Sequence, residues 1–268
     1  MSVSPELIVP LGAFLGAFVA GFAGFGLAAA AGAVLLHALP AHQAVPLMML
    51  CSVATQSAGM LWLRRALVLR PAAPLILGGV LGVLVALPVL ARTEGALLRD
   101  IFGVFLVCYA LHALSRSRPL RRLAPWLARS AAPAQIVPPA ATALAATDRP
   151  ATRARARAGG LAGFVGGLTA MPGAVVSVWA DAHALPKSET RTLLQPFILV
   201  MQLVALTMML AIPGLLTREL LDLALLAAPG VVAGTALGLV LYGRASAETF
   251  RTAVLAIIAT SGLGLLTA

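Results

Sequence analysis

Long apolar runs without any Asp, Glu, Lys or Arg dominate the chain. Several of them reach about 20 residues, the length that an α-helix needs to cross a hydrocarbon core of about 30 Å. Only 10% of the 268 residues are charged, against about a quarter in a typical soluble domain. Because so apolar a chain cannot be hydrated over its whole surface, the sequence predicts a membrane protein with several transmembrane helices.

Charged residues, prolines and glycines divide the apolar runs into eight candidate membrane segments. They cover residues 7–36, 43–63, 72–91, 96–115, 158–180, 192–212, 219–242 and 247–267. The first is too long for one straight span and carries five glycines between Gly12 and Gly26. We therefore expect it to be broken, strongly tilted or partly re-entrant. The predicted fold class is an all-α polytopic membrane protein with about eight segments.

The sequence also repeats itself at an offset of 146 residues. The phrase HALP occurs at 37–40 and at 183–186, and the same offset places Gln56 on Gln202. Self-similarity at a fixed offset indicates an internal duplication. We expect a first transmembrane repeat (1–115), a basic cytoplasmic loop (116–157) and a second transmembrane repeat (158–268). The sequence is compatible with parallel and with inverted repeats. His37 and His183 are expected at the membrane surface. They show which positions of the two repeats correspond, and we expect no binding or catalytic role for them.

The net charge of +10 is concentrated in the predicted loop. Nine arginines and one acid, Asp148, lie between Arg116 and Arg157. Basic residues confined to a loop between membrane segments follow the positive-inside rule and favour the cytoplasmic side of the membrane. This placement predicts contact with the lipid bilayer and argues against nucleic acid as a partner.

No catalytic or metal-binding pattern is present in the sequence, which lacks HExxH, GxSxG and P-loop motifs. Cys51 and Cys108 lie in apolar runs and form no CxxC motif. We therefore expect no enzyme activity, no catalytic residue, no metal and no cofactor.

Two matched stretches are predicted to interrupt helices at membrane depth: GFAGFGL (21–27) and GGLTAMPGA (166–174). Glycine adopts backbone conformations that helices exclude, and Pro172 removes a helical donor. An interrupted helix offers free N–H groups and the positive end of a dipole to an anion. Two facing breaks would bind a small anion without a buried lysine or arginine. The alternative is that these glycines only let helices pack closely, as we expect for the GxxxG residues Gly78, Gly82, Gly230, Gly234 and Gly238.

Polar residues near the breaks complete the candidate site. Gln56 and Gln202 suit interhelical hydrogen bonding and site lining equally well, and Thr169 can offer a hydroxyl to an oxyanion. Arg191 can hold an oxyanion by two parallel hydrogen bonds. The candidate substrate-binding residues are Gly21, Gly24, Phe25, Gly26, Gln56, Gly166, Gly167, Thr169, Met171, Pro172, Gly173, Arg191 and Gln202.

The stretches GAFVAGFAGFGLAAAAGAVLL and GGLAGFVGGLTAMPGAVVSVWADAHALPKSETR resemble the TauE/SafE sulfite and sulfonate exporter family. The resemblance implies secondary transport of a small anion such as sulfite, thiosulfate or sulfoacetate across the bacterial inner membrane. It also implies a site scaffold made of the glycines of both breaks and Pro172. Phe22, Ala23 and Phe25 dilute the glycine cluster often found in the first copy, which favours an organic anion.

Two other functions fit the same residues. Small carboxylates are an alternative substrate class, because they present oxyanions of similar size. A non-transporting membrane scaffold or assembly protein is the other alternative, with the basic loop as its docking surface. The partners expected for a transporter are the small anion and the bilayer, with a homodimer as an option.

Overall fold

The computed structural model describes residues 5–63, 72–93, 97, 100–105, 107–108, 111, 149–183, 185, 187–211 and 217–242. Most of these residues lie in α-helices, and no strand occurs among them, which confirms the all-α prediction for the described part of the chain. The helices are α1 Pro5–Ala23, α2 Leu27–Leu35, α3 Ala41–Leu63, α4 Ala73–Arg92, α5 Arg149–Thr169, α6 Pro172–Ala182, α7 Lys187–Leu210 and α8 Arg218–Leu241. The predicted segment 247–267 and most of the predicted loop lie outside the described residues.

Five of the described helices are long and apolar enough to cross a membrane. The candidate spans are Glu6–Ala23, Ala41–Trp62, Ala73–Leu90, Glu189–Leu210 and Arg218–Leu241. The last four coincide closely with uncharged runs, because the helices begin and end near the turns that delimit those runs, while the first covers only the N-terminal part of the run at 7–36. The protein is therefore a multi-pass membrane protein.

Both glycine-rich segments are broken into two helices. The apolar run at 7–36 becomes α1 and α2, which are separated by residues 24–26. The run at 158–180 falls within α5 and α6, which are separated by residues 170–171. Each interruption lies inside a stretch in which the sequence predicts one.

Helix α5 begins at Arg149, nine residues before the start predicted for the second membrane repeat and inside the predicted basic loop. Ala and Arg both have high helix propensity, and proline is tolerated in a first helical turn, where Pro150 lies. The arginines mark the end of the apolar run, but they do not end the helix. Arg155 is only 7% exposed, so this first part of α5 packs against the rest of the protein.

The GxxxG glycines lie at close contacts between helices, as the packing interpretation predicts. Gly78 and Gly82 of α4 face the backbone of Ala156 and Gly160 in α5. On the other side of the protein, α8 packs against α1 in the same way. Its three glycines Gly230, Gly234 and Gly238 face the carbonyls of Pro10, Phe14 and Phe18. Each of the two glycine-rich pairs, α4 with α5 and α1 with α8, thus joins a helix from the first half of the chain to a helix from the second half.

Helices α3 and α7 form the centre of the fold, while α4 and α8 lie at its edge. More than half of the residues in the α3 and α7 spans are buried, against 39% in the α4 and α8 spans. Met48 of α3 and Phe197 of α7 are fully buried, whereas Leu77 of α4 and Leu225 of α8 are mostly exposed. The exposed leucines and valines of α4 and α8 make an apolar outer surface of the kind that faces lipid.

Candidate functional site

The first break depends on glycine conformations. Gly24 and Gly26 have φ angles of 88° and 92°, in the left-handed region that other residues adopt at a cost. Gly26 is the N-cap of α2, and no side chain caps this helix end. The first backbone N–H groups of α2, on Leu27 and Ala28, therefore lack an intrahelical acceptor.

The second break also contains a residue in the left-handed conformation, but it is built from different residue types. Ala170 has a φ of 56°, and Pro172 begins α6 with the fixed φ that suits a first helical position. The hydroxyl of Thr169 donates to the Val165 carbonyl at 2.7 Å and accepts from the Met171 N–H at 3.3 Å. Thr169 is thus already engaged within its own break.

Both matched glutamines hold the left-handed residue of a break. Gln56 Nε2 of α3 donates to the Gly24 carbonyl at 3.3 Å, and Gln202 Nε2 of α7 donates to the Ala170 carbonyl at 3.0 Å. Both side chains are buried, at 2% and 1% exposure. Of the two roles that the sequence left open for the glutamines, hydrogen bonding to the backbone applies to both.

A pocket of about 320 Å³ of atom-free space, its open mouth included, lies between the two breaks. Six of the candidate residues line it: Phe25, Gly26, Gln56, Met171, Pro172 and Gly173. The other lining residues are Leu27, Ala28, Ser52, Ala170, Ala174 and Ile198. The two stretches that the sequence predicts to face each other thus meet at one pocket.

The pocket can attract an anion without a charged side chain. None of the described residues that line it carries a charge. The first turns of α2 and α6 both border it, with Leu27 and Ala28 from one helix and Gly173 from the other. A helix N-terminus carries about half a positive charge and stabilises an anion by about 0.3–2 kcal/mol. Two such ends at one pocket favour a small oxyanion there.

Comparison with known proteins identifies the family of the chain. A model of the family described as "Sulfite exporter TauE/SafE" matches residues 8–265, nearly the whole chain. The chain belongs to the TauE/SafE family. Searches of curated proteins and of solved structures gave no match. Membership implies a membrane transporter of sulfur-related anions and confirms the resemblance noted in the sequence.

Arg191 does not line the pocket of this TauE/SafE protein. Its Nη1 and Nη2 donate to the carbonyls of Phe22 and Gly21, at 3.3 and 3.0 Å. Its guanidinium also lies 4.0 Å from the ring centroid of Tyr242. A cation is stabilised at a helix C-terminus, and here it satisfies the last carbonyls of α1. The direct role of Arg191 in holding an anion remains a prediction.

The other candidate glycines of the TauE/SafE scaffold lie at packing contacts. Gly21 faces the backbone of α8 at Thr235 and Gly238. Gly166 faces Pro172 across the second break, and Gly167 faces Ala86 of α4. Of the glycines in the two breaks, Gly26 and Gly173 border the pocket, while Gly24 does not line it and faces the Arg191 side chain.

Six of the pocket residues were not among the candidates, and three of them differ in the signal that the sequence offered. Ala170 carried no local signal, because alanine rarely adopts a left-handed conformation; its alignment with Gly24 was the available clue. Ser52 stood out as a polar residue in an apolar segment, but its sequence position did not place it at the breaks. Ile198 is an ordinary core residue by type, and only the fold brings it to the pocket.

Proposed function

We propose that the protein is a secondary transporter that moves a sulfur oxyanion or an organosulfonate across the bacterial inner membrane by alternating access. Sulfite, thiosulfate and sulfoacetate are the substrates to test first. The observation that carries this proposal is the pocket between the two helix breaks, where the N-terminal ends of α2 and α6 meet. This site offers N–H donors to an anion in an apolar setting, in which such donors are worth more than in water.

The proposal includes a duplicated architecture. Gly24 and Ala170 occupy equivalent positions, both have positive φ, and each accepts a hydrogen bond from an equivalent glutamine. The glycine-mediated pairs α1–α8 and α4–α5 are equivalent under the same exchange of halves. Two similar halves around a central site are typical of carriers that work by relative motion of their repeats. We propose that the breaks move with their halves and expose the pocket to either side in turn.

Uptake into proteoliposomes tests this function. The purified chain is reconstituted, and influx of radiolabelled sulfite, thiosulfate, sulfoacetate, taurine and small carboxylates is measured with and without unlabelled anion inside. A carrier gives saturable influx that the trans anion accelerates. A channel would give flux without trans acceleration.

Protein-free liposomes provide the leak control, and liposomes with the Gly24→Leu variant test whether the flux depends on the first break. Saturable flux of carboxylates but of no sulfur anion would show that carboxylates are the substrate class. The absence of saturable flux for every anion in the set would remove the transporter proposal.

A further inference from the structure

The residues that line the pocket come largely in pairs from equivalent positions of the two halves. The pairs at an offset of 146 are Phe25 with Met171, Gly26 with Pro172, Leu27 with Gly173, Ala28 with Ala174, and Ser52 with Ile198. In four pairs both members are apolar or are glycine or proline. The fifth pair differs in polarity, because one half presents a hydroxyl where the other presents a branched alkyl chain.

Ser52 lies on the α3 side of the pocket. It is 3% exposed and is the one hydroxyl among the described residues that line the pocket. Gln56 lies one helical turn further along α3 and lines the same wall. The α3 wall therefore has two neighbouring polar side chains.

Ile198 lies on the α7 side of the pocket and is 4% exposed. Gln202, which is equivalent to Gln56, is not among the lining residues. The pocket thus has a polar wall on α3 and an apolar wall on α7, although its ends are built alike from α2 and α6.

We infer that the pair Ser52 and Ile198 determines which anions the pocket accepts. This inference rests on the proposed transport function. The oxyanion end of the substrate accepts hydrogen bonds from the Ser52 hydroxyl, from the first N–H groups of α2 and from the Gly173 N–H of α6. The remainder of the substrate lies against Ile198, so an anion with one charged end and a small alkyl body fits both walls.

A purely inorganic oxyanion fits the pocket less well than an alkyl oxyanion. Its oxygens toward Ile198 lose water and gain no hydrogen bond, which costs binding free energy. Loss of a hydrogen bond to a charged group weakens binding by about tenfold or more. The α7 wall therefore selects against the inorganic anion, and the α3 wall holds the charged end of either one.

Ethanesulfonate and sulfite are suitable probes, since both carry an SO₃ group and one of them has an alkyl body. Competition between the two is measured in proteoliposomes of the full chain. Ile198→Thr and Ile198→Val are the matched variants, because threonine and valine share a shape and differ in the hydroxyl. Ser52→Ala and Ser52→Thr form the second pair, in which threonine retains the hydroxyl.

We expect Ile198→Thr to lower the preference for ethanesulfonate over sulfite about tenfold, and Ile198→Val to change it less than about threefold. Ser52→Ala raises the half-saturation concentration of both anions about tenfold, and Ser52→Thr restores most of it. Equal preferences in the Ile198→Thr and Ile198→Val proteins, with unchanged half-saturation in Ser52→Ala, would overturn the inference. An inactive wild-type protein would instead remove the proposed function and this inference with it.

Discussion

The two helix breaks reach the same backbone geometry with different residues. In the first break, Gly24 and Gly26 supply the positive φ angles. In the second break, Ala170 adopts the left-handed conformation and Pro172 starts the next helix. A left-handed alanine costs on the order of 1 kcal/mol, which the surrounding contacts must offset. The comparison indicates that the fold requires the break itself, while the residue that makes it can vary.

The breaks also differ in what holds them. Arg191 reaches from α7 to the last carbonyls of α1 and so ties the first break to the other half of the chain. The second break is held from within its own half, by the Thr169 hydroxyl and by Gln202. If the halves move relative to each other during transport, the first break must exchange these hydrogen bonds, whereas the second break exchanges packing contacts, such as that of Gly173 with Phe25.

The largest effect is expected from leucine at Gly24. A Cβ at this position would lie 2.9 Å from Arg191 Cγ, and the φ of 88° adds backbone strain. Transport should be lost while the protein still inserts into the membrane, as measured by uptake and by the amount of protein in the membrane fraction. Gly160→Ala in α5 is the control, because its Cβ would meet nothing closer than 3.5 Å. Normal uptake by the Gly24→Leu protein would show that Gly24 serves only the close packing of helices.

Leucine at Gly173 tests the second break in the same way. Its Cβ would lie 2.6 Å from Ile198 Cδ1 and 3.2 Å from Phe25 Cβ, and the longer side chain would occupy the pocket. We expect the uptake rate to fall below the detection limit, while the amount of protein in the membrane fraction stays unchanged. A Gly173→Leu protein with normal half-saturation would show that the pocket is not on the substrate path.

Lysine at Arg191 is expected to have an intermediate effect. Lysine keeps the charge but cannot bridge the Gly21 and Phe22 carbonyls with a planar fork. Because Arg191 lies outside the pocket lining, the maximal uptake rate should fall about tenfold while the half-saturation concentration changes less than about twofold. A raised half-saturation with an unchanged rate would instead support the direct anion contact that the sequence suggests.

Alanine at the two glutamines separates pocket lining from support of the breaks. Each change leaves a buried carbonyl without its donor, of Gly24 or of Ala170, at a cost of about 1–3 kcal/mol in stability. Thermal unfolding in detergent should therefore occur at lower temperature in both variants. Only Gln56→Ala should also raise the half-saturation concentration, because Gln202 does not line the pocket. The same kinetic change in both proteins would argue against this distinction.

Much of the fold follows from the uncharged runs and from the glycines and Pro172, which predict the spans and the positions of the breaks. The start of α5 could not be predicted in this way, since charge marks the end of an apolar run and not the end of a helix. The contact of Arg191 with α1 joins residues 170 positions apart, and no local pattern encodes it. Ser52 and Ile198 reach the pocket through the packing of α3 and α7, which sequence periodicity does not specify.

The smallest effect is expected from glycine at Ala170. Glycine adopts positive φ without strain, but it also increases the freedom of the unfolded chain. The two effects leave a net stabilisation of about 0.5 kcal/mol, which thermal unfolding should register as a slight rise in midpoint. Gly24→Ala, the reverse change in the first break, should lower the midpoint, because its Cβ meets Arg191. Equal shifts in both variants would contradict the strain assigned to Ala170.

The central claim is that the substrate binds between the two breaks, and thiol protection tests it most directly. With Cys51 and Cys108 replaced by alanine and serine, Phe25→Cys and Met171→Cys place a thiol on equivalent sides of the pocket, and His37→Cys places one on an exposed corner outside it. The rate of labelling by a charged methanethiosulfonate is measured with and without a transported anion. We expect the anion to slow labelling at Phe25→Cys and Met171→Cys several-fold and to leave the labelling rate of His37→Cys unchanged. Equal labelling rates with and without the anion at both pocket positions would contradict the claim.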